Sequence, residues 1–257
     1  MLRTSSYAYA FFALFITLFS ACTARTMEAS VTDTLPKPMM AKIDSTEHLY
    51  FYKPDSCNFD LVTGARPDTL DENILFCAEA AFTGVIADTF YHGNIAGNHV
   101  SEGRFYKGYV CKANKGGFIF YRDKHWDFLK KETYNKKLND TNIVCAYEQA
   151  LLVAADTAYR PYLMKPTREE TYRVLCENKN GELMVVTSKA DMPFANFVKA
   201  LIKELDVKNA LYMDMGKGWN YSWYRNDDGT VTTLFPIEKW TSYQTNWLVV
   251  RKEGGRL

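Results

Sequence analysis

The chain has 257 residues, 31 Lys and Arg against 30 Asp and Glu, and a formal net charge of +1. That balance excludes the basic excess of a nucleic-acid binder. A hydrophobic fraction of 47% excludes a disordered chain and implies a real core.

The chain opens Met1-Leu2-Arg3-Thr4-Ser5-Ser6, with one positive charge, and continues from Tyr7 to Phe19 without any. The uncharged run has the length of a secretory h-region and is short for a membrane span. It ends in Phe19-Ser20-Ala21-Cys22, which resembles the lipobox of bacterial lipoproteins. The resemblance implies a signal peptide over residues 1–21, cleavage before Cys22, and a lipidated (thioether and palmitate-type) anchor on that thiol. The alternative is an ordinary signal peptide cut after small residues, with Cys22 a plain thiol. Removing the signal leaves 236 residues and, with Arg3 gone, a formally neutral chain. Residues 22–45 hold Thr, Ser, charge and Pro36-Lys37-Pro38, and read as a flexible tether. Localisation follows as the cell envelope, on a bacterial membrane, most naturally the outer one.

The globular part is expected over residues 46–257 as a single domain. His48-Leu49-Tyr50-Phe51-Tyr52 reads as its first strand, and further strands are expected at 75–84 and 117–121. The charged stretch 126–137 is either helix or excursion. Residues 142–154 form one apolar run, a strand or a buried helix, which periodicity alone does not separate. Residues 173–177 and 183–187 are strand candidates joined by Asn178-Lys179-Asn180-Gly181, a hairpin turn. Asp191 is then a candidate helix cap, with Pro193 in the first turn. Phe194, Phe197, Val198, Leu201, Ile202 and Leu205 lie on one stripe of that helix, which ends near Lys208-Asn209. Ala210-Leu211-Tyr212-Met213 reads as a short buried strand, and Asn246-Trp247-Leu248-Val249-Val250 as the last one. Together these elements predict an α+β class: one large mixed sheet flanked by a few helices.

Five cysteines remain after Cys22: Cys57, Cys77, Cys111, Cys145 and Cys176. None forms a CxxC pair, so no zinc ribbon or thioredoxin motif is present. Disulfide pairing of four and burial of free thiols stand as alternatives. His92 and His99 sit in a loop rich in Gly and Asn, at a spacing that matches no standard zinc motif. No metal or other cofactor is expected.

Candidate chemistry centres on Asp214, at the carboxyl end of a buried strand and ahead of Met215-Gly216-Lys217-Gly218-Trp219. Open sheets place ligands at such ends, and glycines there let backbone approach a ligand. Trp219, Tyr221, Trp223 and Tyr224 form either a sugar-stacking wall or strand packing.

Residues 181–218 together with 246–250 resemble the phosphodiester glycosidase family. The elements that carry the resemblance are Asn180-Gly181, the helix, Ala210-Leu211-Tyr212-Met213-Asp214-Met215-Gly216, and the closing Asn246-Trp247-Leu248-Val249-Val250. Earlier, Glu79-Ala80-Ala81-Phe82-Thr83 and Gln149-Ala150-Leu151-Leu152 fall in the family's order. The resemblance implies cleavage of a sugar from a phosphodiester or a related envelope glycan, with a carbohydrate or sugar phosphate as partner. Asp214 and Glu79 are the implied carboxyl pair. Arg168, Arg173 and Arg225 are side-chain candidates for phosphate, Gly216 and Gly218 backbone ones, and Trp219 a substrate contact. The sequence has Glu79 where the family has Asn, and Met215-Gly216-Lys217 where it has three glycines. Those departures support an alternative: a non-catalytic member that binds envelope glycan or protein. Mass spectrometry of the mature amino terminus tests the anchor: diacylated Cys22 is expected, and an unmodified residue there overturns it.

Overall fold

The computed structural model describes residues 43–54, 57–159 and 165–253. The expected signal peptide, the expected lipidation site Cys22 and the expected tether up to residue 42 lie outside them. Among the described residues no helix is long and apolar enough to cross a membrane.

The strands follow in chain order. The first six are β1 (Ile43–Ser45), β2 (Leu49–Tyr52), β3 (Cys57–Thr63), β4 (Ile74–Glu79), β5 (His99–Ser101) and β6 (Arg104–Tyr106). Next come β7 (Gly116–Tyr121), β8 (Trp126–Lys130), helix α1 (Lys131–Lys137), β9 (Ile143–Gln149), β10 (Leu151–Ala154) and β11 (Thr157–Ala158). Then come β12 (Glu169–Glu170), β13 (Arg173–Asn178), β14 (Leu183–Ser188), β15 (Met192–Pro193), helix α2 (Phe194–Leu205) and β16 (Val207–Met213). The last three strands are β17 (Ser222–Arg225), β18 (Val231–Phe235) and β19 (Asn246–Lys252).

The class is therefore mainly β, with two α-helices among the described residues, rather than α+β. The expected single mixed sheet is instead three antiparallel sheets and a short ribbon of β12 with β15. The first sheet has the order β1-β2-β14-β13-β16-β10-β11, the second β18-β17-β4-β19-β3, and the third β6-β5-β9-β7-β8. Every described strand pairing is antiparallel; one isolated parallel bridge joins Ala96 and Tyr109. The strand β1 lies within the stretch expected to be tether. The run 142–154 is two strands, β9 and β10, and the charged stretch 126–137 is β8 followed by α1.

The hairpin of β13 and β14 forms where the sequence places it. Asn178 accepts the backbone N–H groups of Asn180 and Glu182, each at 3.0 Å, and Gly181 takes φ +75°, which a glycine adopts without strain. After it, α2 presents Phe194, Phe197, Val198 and Leu201 to the first sheet, where they pack with Val174, Cys176, Val186 and Ala210. Each such apolar side chain contributes about 1.5–3 kcal/mol on burial. Asp191 does not cap this helix; its carboxylate accepts the Thr171 hydroxyl at 2.7 Å, and Pro193 takes the cap position. The helix stops at Asp206, whose left-handed φ of 51° turns the chain, so residues 208–209 are already strand.

The other face of the first sheet carries Leu175, Val185, Leu211 and Met213 into a second cluster. There they meet Phe59, Leu61 and Leu248 of the second sheet and Phe118, Phe120 and Tyr147 of the third. One core thus joins all three sheets, and α1 covers the outer face of the third through Tyr134 and Leu138. Cys77, Cys111, Cys145 and Cys176 are free thiols. Phe197 is fully buried under α2, so Phe197→Ala is expected to cost about 3–5 kcal/mol. Urea unfolding measures it, beside exposed Lys199→Ala, expected to stay within about 0.5 kcal/mol.

Candidate active site

The strand ends that bear polar residues meet at Ala80-Ala81, just past β4. Both alanines are fully buried, so their backbone groups need partners inside the protein. The Asp214 N–H donates to the Ala80 carbonyl at 3.1 Å, and the Gln149 amide reaches the same oxygen at 3.3 Å. Asn246 accepts the Ala81 N–H at 2.8 Å and donates back to its carbonyl at 3.0 Å. Side chains or backbone from all three sheets therefore fix one dipeptide. Glu79 precedes that dipeptide, and Asp214 follows β16.

The third charged group is Arg173, at the start of β13 and fully buried. Its Nη2 donates to the Ser222 hydroxyl at 2.7 Å and its Nε to Thr187 at 3.3 Å. The guanidinium lies over the Phe235 ring at 5.1 Å, and Nη1 has no hydrogen-bond partner. Burial lowers its pKa to about 10, against the opposing pull of Tyr212, Cys77, Glu79 and Asp214, so it stays cationic at neutral pH.

Burial raises Asp214 to about 7, although N–H groups of Gly216 and Met215 and the charge of Arg173 pull the other way. Its Oδ1 accepts the Gly216 N–H at 3.0 Å. Burial also pushes Glu79 well above the usual carboxylate range, and the Asp214 charge adds to that push. Hydrogen bonds from Gln244 and Thr83 and the Arg173 charge oppose it. Glu79 Oε1 is unpartnered. Both acids thus hold their protons to higher pH than ordinary carboxyls, Glu79 through burial first and the like charge of Asp214 second.

Asp214 opens onto a cleft of about 390 Å³ whose walls include Phe82, Thr83, Ile86, Tyr109, Cys111 and Trp219. Among the described residues, Asp214 is the one charged residue lining it. Glu79 has no exposed surface and is not part of the cleft wall. Trp219 runs nearly parallel to Trp240, ring centres 6.3 Å and planes 10° apart.

The remaining sequence candidates separate cleanly. Arg225 is not at the site: it binds the carbonyls of Ile74, Gly229, Thr69 and Asp71 at 2.6–3.1 Å and so ties a loop to β17. Arg168 is exposed and pairs with Glu170. Trp223 and Tyr224 are buried residues of β17 and Tyr221 is buried just ahead of it, leaving Trp219 alone of that group in the cleft. Gly216 and Gly218 both lie in the Asp214 loop, Gly218 with φ +79°. His92 and His99 hydrogen-bond to each other at 3.0 Å, His99 also contacting the Gly97 carbonyl at 3.2 Å. Burial drops His99 to about 4, so its ring is neutral at physiological pH. Among the described residues, Glu47, His48 and Glu204 are the group close enough to share a metal ion, but they are surface groups already paired with one another, and Lys199 and Lys203 line the same hollow. Gln244, Tyr109 and Trp240 are not singled out by the sequence, and Thr83 only as part of the Glu79–Thr83 element; no local motif marks them.

No family model matches the sequence, and no curated protein matches it. Among solved structures, the fold is similar to the zebrafish N-acetylglucosamine-1-phosphodiester alpha-N-acetylglucosaminidase catalytic domain auto-inhibited by pro-peptide. The TM-score is 0.50 at 12% identity, covering 80% of this chain and 76% of that one. A hypothetical protein from Synechocystis gives a TM-score of 0.41 at 10% identity, over 79% of this chain and 58% of that one. The chain is a mainly β protein, and the first of these likenesses is a distant one, in fold alone, to a glycosidase domain.

The raised Asp214 has a measurable consequence. Its folded-state pKa of about 7 exceeds that of an unfolded carboxylate, about 3.9. The stability tied to its proton is then complete below about pH 4 and is lost as pH rises through about 7. Relative to Asp214→Asn, the wild-type chain is expected to weaken across that window and level off above it. Urea unfolding at stepped pH measures the gap; a gap independent of pH contradicts the assignment.

Proposed function

We propose that this chain is a lipid-anchored envelope protein that hydrolyses a glycosidic bond, its substrate a sugar phosphodiester or a related envelope glycan. The observation that carries the reading is Asp214: a carboxyl in a cleft wall, raised to about 7, with the charge of Arg173 acting on it and its own charge acting on Glu79. The likeness to a glycosidase domain supports the reaction class at the level of fold alone. Cys22 supplies the anchor in this reading, and the neutral mature chain leaves the acyl chains to do the holding.

A carboxyl near neutrality is suited to proton transfer at neutral pH. In the proposed step protonated Asp214 gives its proton to the departing oxygen as the bond to the anomeric carbon breaks. Water supplies the oxygen that ends on that carbon, and its released proton restores Asp214. Arg173 steadies the transient carboxylate through the buried interior. Glu79, lacking access to the cleft, keeps its proton and acts through Asp214 rather than on substrate. This differs from a pair of carboxyls that both face the sugar.

A second reading is a glycan-binding protein without turnover. The burial of Glu79 favours it, because one acid alone then lines the cleft. Hydrolysis of chromogenic sugar phosphodiesters and neutral glycosides by the purified chain separates the two. Turnover should fall as pH climbs through about 7, and Asp214→Asn should lower it by about 10²-fold or more. Equal turnover in the variant ends the enzymatic reading.

A further inference from the structure

We infer that the Asp214 cleft binds a neutral sugar ring by stacking on aromatic faces, and that its glycine loop serves those aromatics rather than a phosphate. The inference rests on reading this cleft as a glycan site, but not on turnover there.

Three glycines back three rings around the cleft. A Cβ at Gly84 would lie 2.7 Å from Tyr109, one at Gly216 would lie 3.3 Å from the Trp219 ring, and one at Gly218 would lie 3.0 Å from Trp240. At Gly84 and Gly218 a side chain would crowd the ring out, and at Gly216 the Trp219 ring would have to give by a few tenths of an ångström. Trp219 and Tyr109 line the cleft directly, and Trp240, 39% exposed, stacks nearly parallel to Trp219. At 6.3 Å between centres the two indoles are offset, so part of each face stays uncovered. The apolar face of a pyranose, with its axial C–H groups, fits such a surface.

Charge points the same way. A phosphate requires cations or free N–H groups. Among the described residues no Lys or Arg lines the cleft. The Gly216 N–H is committed to Asp214. Arg173 is fully buried, its Nη2 and Nε held by Ser222 and Thr187, and its unpartnered Nη1 is itself buried, away from the cleft wall. An anion entering the cleft would meet Asp214 with no compensating charge in the wall, whereas a neutral ring meets none of that cost.

The test uses the full wild-type chain at about pH 8, where Asp214 carries its charge, with Asp214→Asn beside it so that binding is also read with hydrolysis switched off. The probes are methyl α-glucoside, methyl α-mannoside and methyl N-acetyl-α-glucosaminide, each beside its 1-phosphate counterpart, followed by calorimetry and tryptophan fluorescence. At least one neutral glycoside should bind more tightly than its phosphate, with affinity unchanged between about 50 and 500 mM salt. Trp240→Ala, a surface change, should weaken it by about ten-fold or more, and Trp219→Ala likewise, while Trp219→Phe should retain most of it. Tighter, salt-dependent binding of a phosphate overturns the inference. So does binding indifferent to both tryptophans, or no binding of any neutral glycoside. Turnover by the wild-type chain that ignores Trp240 would leave the hydrolase reading standing and remove this one. Ring-dependent binding without turnover would do the reverse.

Discussion

The peptide groups of Ala80 and Ala81 are buried just after β4 has ended, where no sheet ladder can satisfy them. Water is excluded, so side chains from elsewhere supply the hydrogen bonds: Asn246 from the second sheet, Gln149 from the third, and the backbone of Asp214 beside the first. An unmet buried amide costs on the order of 1–3 kcal/mol, so each of these contacts holds its sheet in one position. Asp214 and Glu79 owe their placement to that junction. Both are attached to the backbone being fixed, and neither is set by a contact between the two carboxyls.

The same burial sets the site's electrostatics. Three ionisable groups are removed from water with one positive charge between them, and no described ion pair joins Arg173 to either acid. Its immediate contacts are hydroxyls and a ring face, which satisfy N–H groups without neutralising charge. Desolvation therefore dominates, drawing Arg173 down and both acids up. Only Asp214 among them keeps an opening to the cleft, which separates the group able to meet a ligand from those that tune it.

Much of the first sheet was legible because its signals are local. The stripe on α2 and the Asn178–Gly181 turn are read within a few residues, and so is an acid following a buried strand. Strand direction was not legible. Residues of β13, β14 and β16 are buried on both faces, which gives the continuous apolar runs usual for parallel strands. Here the second face is filled by two further antiparallel sheets. Arg168, Arg173 and Arg225 look alike in sequence, and only tertiary position distinguishes a surface pair, a buried site cation and a loop tie. Gln244 reaches Glu79 because β19 lies against β4, a pairing across more than 160 positions that no local pattern encodes.

That pairing also bears on how the molecule assembles. In sequence β3 and β4 are neighbours, yet β19 lies between them, with Asn246 opposite Thr63 and Trp247 opposite both Val62 and Glu79. The two early strands cannot simply close on each other as a hairpin; they must leave a gap one strand wide until β19 arrives. Closing so long a loop is entropically slow, and contacts of high sequence separation form late. Asn246 is carried on that late strand. The Ala80-Ala81 junction, and with it the final setting of Glu79 and Asp214, is thus among the last parts of the molecule to be completed, after the hairpin of β13 and β14 and the helix α2 have had every local reason to form.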